Sequence, residues 1–523
     1  MPKILNKFSQ ALVLAYNKDS APNHDRTISV NPVVAELATW YEKFRTAMDY
    51  RADEVILRST IERILKRRLM LGGEGKTVAT PLIRELVWAR YFPDFTIAES
   101  QVTKVSTAID LYLELERQIN KKHHIGKGTV NEWIFHLLSS EIEHILKHND
   151  PKDTMSNFIF SIFQDQITIS DDTQEVKNIQ TFIAVRRAYA NDDLAFLRYH
   201  LFKQYFGDLN EENLGKISDS FADAHRQFED QFKYPAKDKI YTYIKNQTIP
   251  FLILDDVLRK YQGKTAALLT DEDQLNAEVL AACNARYKNI RNKVTRAIFR
   301  SVIFIFFTKA LIALFVEGTF ERLFYGRTFW SAIALNTLTP PVLMIGVGLL
   351  IKTPQRENSF KILKKVSVIL YDNPPVLDNP LIIKKKPSKI DPLMWSLFVV
   401  LWFTMFGLSI SAIIFVLSKA HINPLSQGVF IFFLAIVSFV SFRINRTAHM
   451  YVIKDKKEDV GSVLVDFFFM PFIQIGKRLT LAISQINIIL FIFDFIIETP
   501  FKGIFAFFEQ WFLFLRTQRE KLD

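Results

Sequence analysis

The sequence predicts an all-α protein: a helical cytoplasmic domain over 1–296, a four-span membrane domain over 297–445, and an amphipathic, membrane-associated tail over 446–523. Three observations predict it. Apolar residues recur near the 3.6-residue helical period through most of the first half. Apolar stretches close to the ~20 residues a bilayer requires crowd into the second. The charge divides unevenly as well: residues 297–523 carry 25 Lys/Arg against 15 Asp/Glu, whereas the first 296 carry 41 against 40. Nearly all of the formal +11 therefore sits in the apolar half. A nucleic-acid-binding chain concentrates basic charge on a soluble domain, so the membrane and not nucleic acid accounts for the basicity.

In the first half, helical segments are expected at Val33–Met70, Val78–Phe92, Val105–Lys121, Val130–Lys147, Val176–Ala190, Leu194–Phe206, Lys239–Leu258 and Asp273–Arg300. Turn signals at Asp192-Asp193, Tyr234-Pro235 and Ile249-Pro250 separate them, and Thr270-Asp-Glu-Asp reads as a helix start. No stretch alternates at strand length, and no fixed-period repeat is present. The last helix is expected to run directly into the first span. The N-terminus holds a short amphipathic run without a continuous apolar core or small-residue cleavage site, so it does not read as a cleaved secretory signal.

The stretch LGGEGKTVAT (71–80) ends like a phosphate-binding P-loop, but Met70 stands where the first glycine belongs. The residues before it have helical spacing with Lys66, Arg67 and Arg68 in a last turn, and Gly72-Gly73 reads as a helix stop. It is a connector between two helices. A single cysteine, Cys283, excludes an internal disulfide framework and a cysteine-based zinc site. His136, Glu141, His144 and His148 share one predicted helix, yet a di-iron bundle needs a second Glu-x-x-His motif and none is present. The four read as a polar helix face, and no metal, cofactor or catalytic residue is expected.

Four spans are predicted at 298–317, 329–351, 393–417 and 425–442. Pro340-Pro341 removes helical hydrogen bonds inside the second and is expected to bend it. With the N-terminus inside, cytoplasmic flanks hold twenty-two Lys/Arg and the outer loops three (Arg322, Arg327 and Lys419). That bias predicts a cell-membrane protein with both termini cytoplasmic. The basic cytoplasmic loop 352–391 carries Lys384, Lys385, Lys386 and Lys389, candidates for contact with anionic lipid headgroups at about 1 kcal/mol per charge. In the tail, Asn487, Asp494, Glu498, Lys502, Glu509 and Arg516 form a narrow polar stripe among Phe, Ile, Leu and Trp511. Such a pattern suits helices lying in the membrane interface with the stripe toward water, and it also suits helices of a bundle that turn the stripe inward.

Ionisable residues inside spans are costly and often functional. Lys309 sits mid-span, with Asn336 beside the proline pair and Asp494 in the tail as its candidate partners. RAIFRSVIFIFFTKALIALFVE, NTLTPPVLMIGVGLL and INIILFIFDFIIETPFK together resemble bacterial-type multi-pass membrane proteins of uncharacterised role that carry a large helical cytoplasmic domain. The resemblance implies an architecture and supplies no activity or site residue. The resulting expectation is a non-enzymatic membrane-anchored scaffold with a protein partner for its helical domain, and a homo-oligomer is compatible with it. The alternative is a transporter or channel subunit using the intramembrane polar residues.

Overall fold

A computed structural model describes residues 5–16, 27–28, 30, 32, 34–36, 38–39, 42, 53–70, 72–147, 150–385, 391–453, 469–478 and 499–520. The described chain is all-α apart from two three-residue strands, and four of its helices are long and apolar enough to cross a membrane. Contacts divide it into two units: Met1–Thr270 with Val368–Pro387 and Ile489–Asp523, and Asp271–Ser367 with Ser388–Ile488.

The first unit runs through α1 (Lys7–Tyr16), α2 (Asp53–Leu69), α3 (Gly75–Trp88), α4 (Glu99–Lys122), α5 (Lys127–Leu146) and α6 (Asp150–Phe163). Then follow β1 (Ile167–Ile169), α7 (Gln174–Val185) with a π turn at Arg186–Ala190, α8 (Leu194–Phe206), α9 (Leu214–Phe232), α10 (Lys237–Gln247), α11 (Ile249–Lys260) and α12 (Thr265–Thr270). Helices α2–α5, α8 and α9 share one core; α9 turns an apolar stripe inward, while α8 is buried nearly all round. On α9 that stripe is Ile217, Phe221, Ala224 and Phe228, four buried residues at helical spacing. Trp133 of α5 is wholly enclosed, with Phe221 and Phe228 each 6.0 Å from its ring. Pro250, needing no N–H in a first turn, starts α11 immediately after α10.

The LGGEGKT stretch joins α2 to α3. Gly75 N–H donates to Asp110 Oδ1 at 2.8 Å, and a Cβ there would come within 2.2 Å of the Ser106 carbonyl oxygen. Only glycine fits against α4 at that point, so this Gly-Lys-Thr serves helix packing. The segment after Val368, read from sequence as loop, is structured: β2 (Leu381–Ile383) pairs in parallel with β1, Ile167 opposite Leu381. Gln166 Nε2 donates to the Pro375 carbonyl at 2.7 Å, fastening the same segment. The last helix, α19 (Thr499–Glu520), also belongs to this unit, with Phe512 half-buried against the helical core.

The second unit begins with α13 (Glu272–Ile312), a π turn at Ala313–Glu317 and α14 (Gly318–Tyr325), one continuous helical stretch. The helix does run straight into the first apolar span, and it continues through residues 318–325, expected as loop. Next come α15 (Trp330–Leu350), α16 (Arg356–Tyr371), α17 (Pro392–Lys419) and α18 (Pro424–Ala448). Helix α15 is continuous through Pro340 and Pro341, both buried. Its inward face is Ile333, Asn336, Thr337, Pro340, Pro341 and Met344, and α13, α15 and α18 pack together pairwise. Helix α17 meets α18 at its C-terminal end, through Ile413 and Leu417, and is otherwise little covered, with 6 % of its apolar window buried against 33 % for α15.

Candidate functional site

Lys309 lies on α13 and is wholly buried. Its Nζ donates to Glu317 Oε1 at 2.5 Å, and Glu317 is equally buried. Eight residues along an ideal α-helix would leave the two side chains roughly 80° apart around the axis. The π turn at Ala313–Glu317 takes up one extra residue. The pair is then related as residues seven apart are, within roughly 20° of one face. The backbone irregularity thus makes the ion pair possible. Phe433 of α18 covers the ammonium from 5.5 Å, a cation–π contact in a desolvated place.

The second oxygen of Glu317 accepts from Asn336 Nδ2 at 2.8 Å, and the same amide lies 3.3 Å from the Ser426 carbonyl. Asn423, the N-cap of α18, accepts from Ser426 N–H through Oδ1 and donates through Nδ2 to Glu321 Oε1 at 2.7 Å. Glu321 Oε2 accepts the Phe329 N–H that opens α15. One polar chain therefore runs Lys309, Glu317, Asn336, Ser426, Asn423, Glu321, tying α13, α14, α15 and α18. Helix α17 supplies none of these residues. Three buried oxygens beside the chain have no partner among the described residues: Asn336 Oδ1, Thr337 Oγ1 and Ser426 Oγ.

Of the sequence-selected residues, Lys309 and Asn336 are brought together through Glu317. Asp494 lies outside the described residues, as do Lys386 and Lys389. Lys384 is exposed. Lys385 is engaged by the helical unit instead: its Nζ pairs with Asp172 at 2.9 Å and its N–H donates to Asp171 at 2.6 Å. Sequence reading missed Glu317 as the partner, because regular helical geometry puts it on another face. It also missed Glu321, Asn423 and Ser426, which sit at the ends of the apolar stretches; Asn423-Pro424 before an apolar run was the available cap signal.

The helical unit holds a second buried ionic group, also at a π turn. Arg186 Nε donates to Asp192 Oδ2 and its Nη1 to Asp153 Oδ1, both at 2.5 Å, while Nη2 meets His200 Nε2. Lys152 reaches the other Asp192 oxygen at 3.2 Å. Burial first, and then the neighbouring guanidinium, push the His200 pKa down to about 3, so it is neutral and its Nε2 accepts a hydrogen bond from Arg186 Nη2. A cavity of about 30 Å³ beside this group is also bordered by Glu143, whose buried Oε2 has no partner among the described residues; burial pushes its pKa up to about 7. The histidine face of α5 disperses: His136 meets Arg198 at 2.9 Å, Glu141 pairs with Lys203 at 3.1 Å, and the His144 ring lies against Tyr199. His148 lies outside the described residues, and among those described no three His, Cys, Asp or Glu side chains are grouped to hold a metal ion.

No protein-family model, curated protein or solved structure matches the chain. A functional reading therefore stands on the geometry above.

Proposed function

We propose that this chain is a non-enzymatic, membrane-anchored scaffold whose apolar helices are fixed to one another by the Lys309–Glu317–Asn336 chain. One observation carries the reading: the intramembrane cation and its carboxylate are both fully enclosed and neutralise each other, with Asn336 on the remaining carboxylate oxygen. A buried charge held this way positions helices and is not offered to a substrate. The helical unit, cytoplasmic by the Lys/Arg distribution, then presents its surface to a protein partner. Ile504, Phe507, Phe508, Trp511, Phe514 and Leu515 of α19 are exposed at helical spacing, which suits a helix resting on the bilayer.

The second reading, a transporter or channel subunit, draws on the three unpartnered oxygens of Asn336, Thr337 and Ser426, which would suit a hydrated path. Flux measurements on the full chain in sealed vesicles separate the two. Under an imposed potential or pH gradient, the scaffold reading expects proton and ion leak equal to that of empty vesicles. Flux above that level, lost in Asn336→Leu at equal incorporation, would replace it with the transporter. Orientation is checked with a single cysteine at exposed Lys419 in a Cys283→Ser background, which an external reagent should label on intact cells.

A further inference from the structure

The second unit holds a cavity of about 880 Å³ that the polar chain does not reach. One wall is a face of α13: Asn284, Tyr287, Lys288, Arg291, Thr295 and Ile298 recur at three- and four-residue steps. The other is the end of α15 and its connection to α16, from Gly348 through Lys352 to Arg356. The lining includes four basic residues, Lys288, Arg291, Lys352 and Arg356, and no acidic one. Among the described residues no carboxylate pairs with any of the four; Arg356 rests on the Phe360 ring at 5.8 Å. Gathering like charges is unfavourable unless an anion joins them. Among the described residues no side chain supplies that anion.

Position narrows its nature. The apolar stretch of α13 starts at about Ile298 and that of α15 ends at Leu350, so the cavity stands where two candidate spans leave the apolar region. Gly348 sets the depth of the wedge: a Cβ there would come within 2.9 Å of Ile298, so the two helices touch at that level and diverge below it. The N-terminal end of α16, at Gln355 and Arg356, borders the opening and favours a negative ligand. A volume of this size exceeds what one phosphate fills and admits a headgroup with its glycerol. Asn284, Thr295 and Gln355 supply neutral polar groups beside the cations.

We propose that this cavity binds a phosphate-bearing anion, and that its ligand is the phosphodiester headgroup of an anionic phospholipid lodged between α13 and the α15–α16 connection. The inference rests on the membrane reading of the apolar helices and is independent of whether the chain is a scaffold. It differs from lipid contact through the lysines at 384–389, since Lys385 is already held by Asp171 and Asp172.

The test uses the full chain in a neutral detergent, titrated separately with short-chain phosphatidylglycerol, short-chain phosphatidylcholine and inorganic phosphate, with binding read by calorimetry and thermal shift. Phosphatidylglycerol should bind and phosphatidylcholine should not. Each basic residue removed should weaken binding about 5-fold, so Arg291→Gln/Lys352→Gln should lose about 25-fold while Lys384→Gln changes nothing. Inorganic phosphate binding with the same sensitivity, and no added affinity from the lipid, would keep the phosphate site and move its source to a soluble phosphate. Phosphatidylglycerol binding undiminished in the double variant would overturn the proposal. Should the double variant fail to unfold cooperatively, Lys352→Gln alone, in the exposed connection, decides by its 5-fold step or its absence.

Discussion

Each unit of the molecule buries a cation–carboxylate pair beside a π turn, and the two differ in how many groups share the charge. Arg186 in the helical unit meets Asp192, Asp153 and His200, with Lys152 on the far side of Asp192. Lys309 among the apolar helices has one carboxylate, and that carboxylate has one amide besides it. A π turn shifts the face of a helix by one residue. At Ala313–Glu317 it brings Glu317 to a lysine that regular helix geometry would miss, whereas Arg186 stands at the start of its π turn and meets partners on other segments. The larger network distributes its charge over several elements; the smaller is close to the minimum that keeps a buried lysine satisfied. The difference predicts that the smaller pair is replaceable as a unit and the larger is not.

The largest expected effect follows from breaking the larger network. Arg186→Met leaves the buried Asp192 and the part-exposed Asp153 with too little positive charge, so the helical unit should lose on the order of 3 kcal/mol of unfolding free energy in denaturant titrations. Adding Asp192→Asn should recover little of it, because Lys152 loses its partner and Asp153 keeps its charge. Full recovery by that second change would remove the contrast. Lys309→Met should cost roughly 3 kcal/mol in detergent unfolding, since Glu317 is left charged in an apolar place.

A third prediction concerns pH. Burial raises the Glu143 carboxyl to about 7 in the folded protein, above its ordinary value near 4.5. Between these values the folded state holds a proton that the unfolded state has released, so stability is full below pH ~4.5, falls through the window and levels off above pH ~7. The fall should be on the order of 3 kcal/mol, ~1.4 kcal/mol for each unit between the two values. Glu143→Gln should flatten the profile and be the more stable form at pH 8; an unchanged slope would show that another group sets it. The smallest effect separates the apolar helices themselves. Met344→Ala, on the enclosed face of α15, should cost about 2 kcal/mol or more, whereas Phe403→Ala, exposed on the outlying α17, should cost under about 0.5 kcal/mol. Equal costs would mean that α17 is packed as tightly as α15.

The architecture was largely legible before any coordinates. Long apolar runs and helical spacing give the four candidate spans and most of the helices, and they give the unbroken passage of α13 into the first span. Several helices escaped: Asp150–Phe163, Leu214–Phe232 and Thr265–Thr270 in the helical unit, Gly318–Tyr325 past the first span, and Arg356–Tyr371 inside the stretch read as loop. Leu214–Phe232 is charge-rich, and its apolar stripe holds few residues. The β1–β2 pairing links residues more than two hundred positions apart through three-residue strands, too short to show a period of two. At the site, Lys309 and Asn336 stood out because polar groups in apolar runs are conspicuous. Glu317 did not, because its role depends on a π turn that spacing rules do not anticipate. The loop lysines stood out as candidates for anionic lipid, and spacing gave no sign that two aspartates of the helical unit hold Lys385.

The central claim is that Lys309 and Glu317 form a closed structural pair. A double-mutant cycle tests it most directly: unfolding free energies of the full chain in detergent for Lys309→Met, Glu317→Gln and both together. A closed pair predicts a coupling of 2 kcal/mol or more, on the order expected for neighbours in one network, with the double variant near wild type. Additive losses would mean that each group meets something other than its neighbour, water or a transported ion, and would contradict the account.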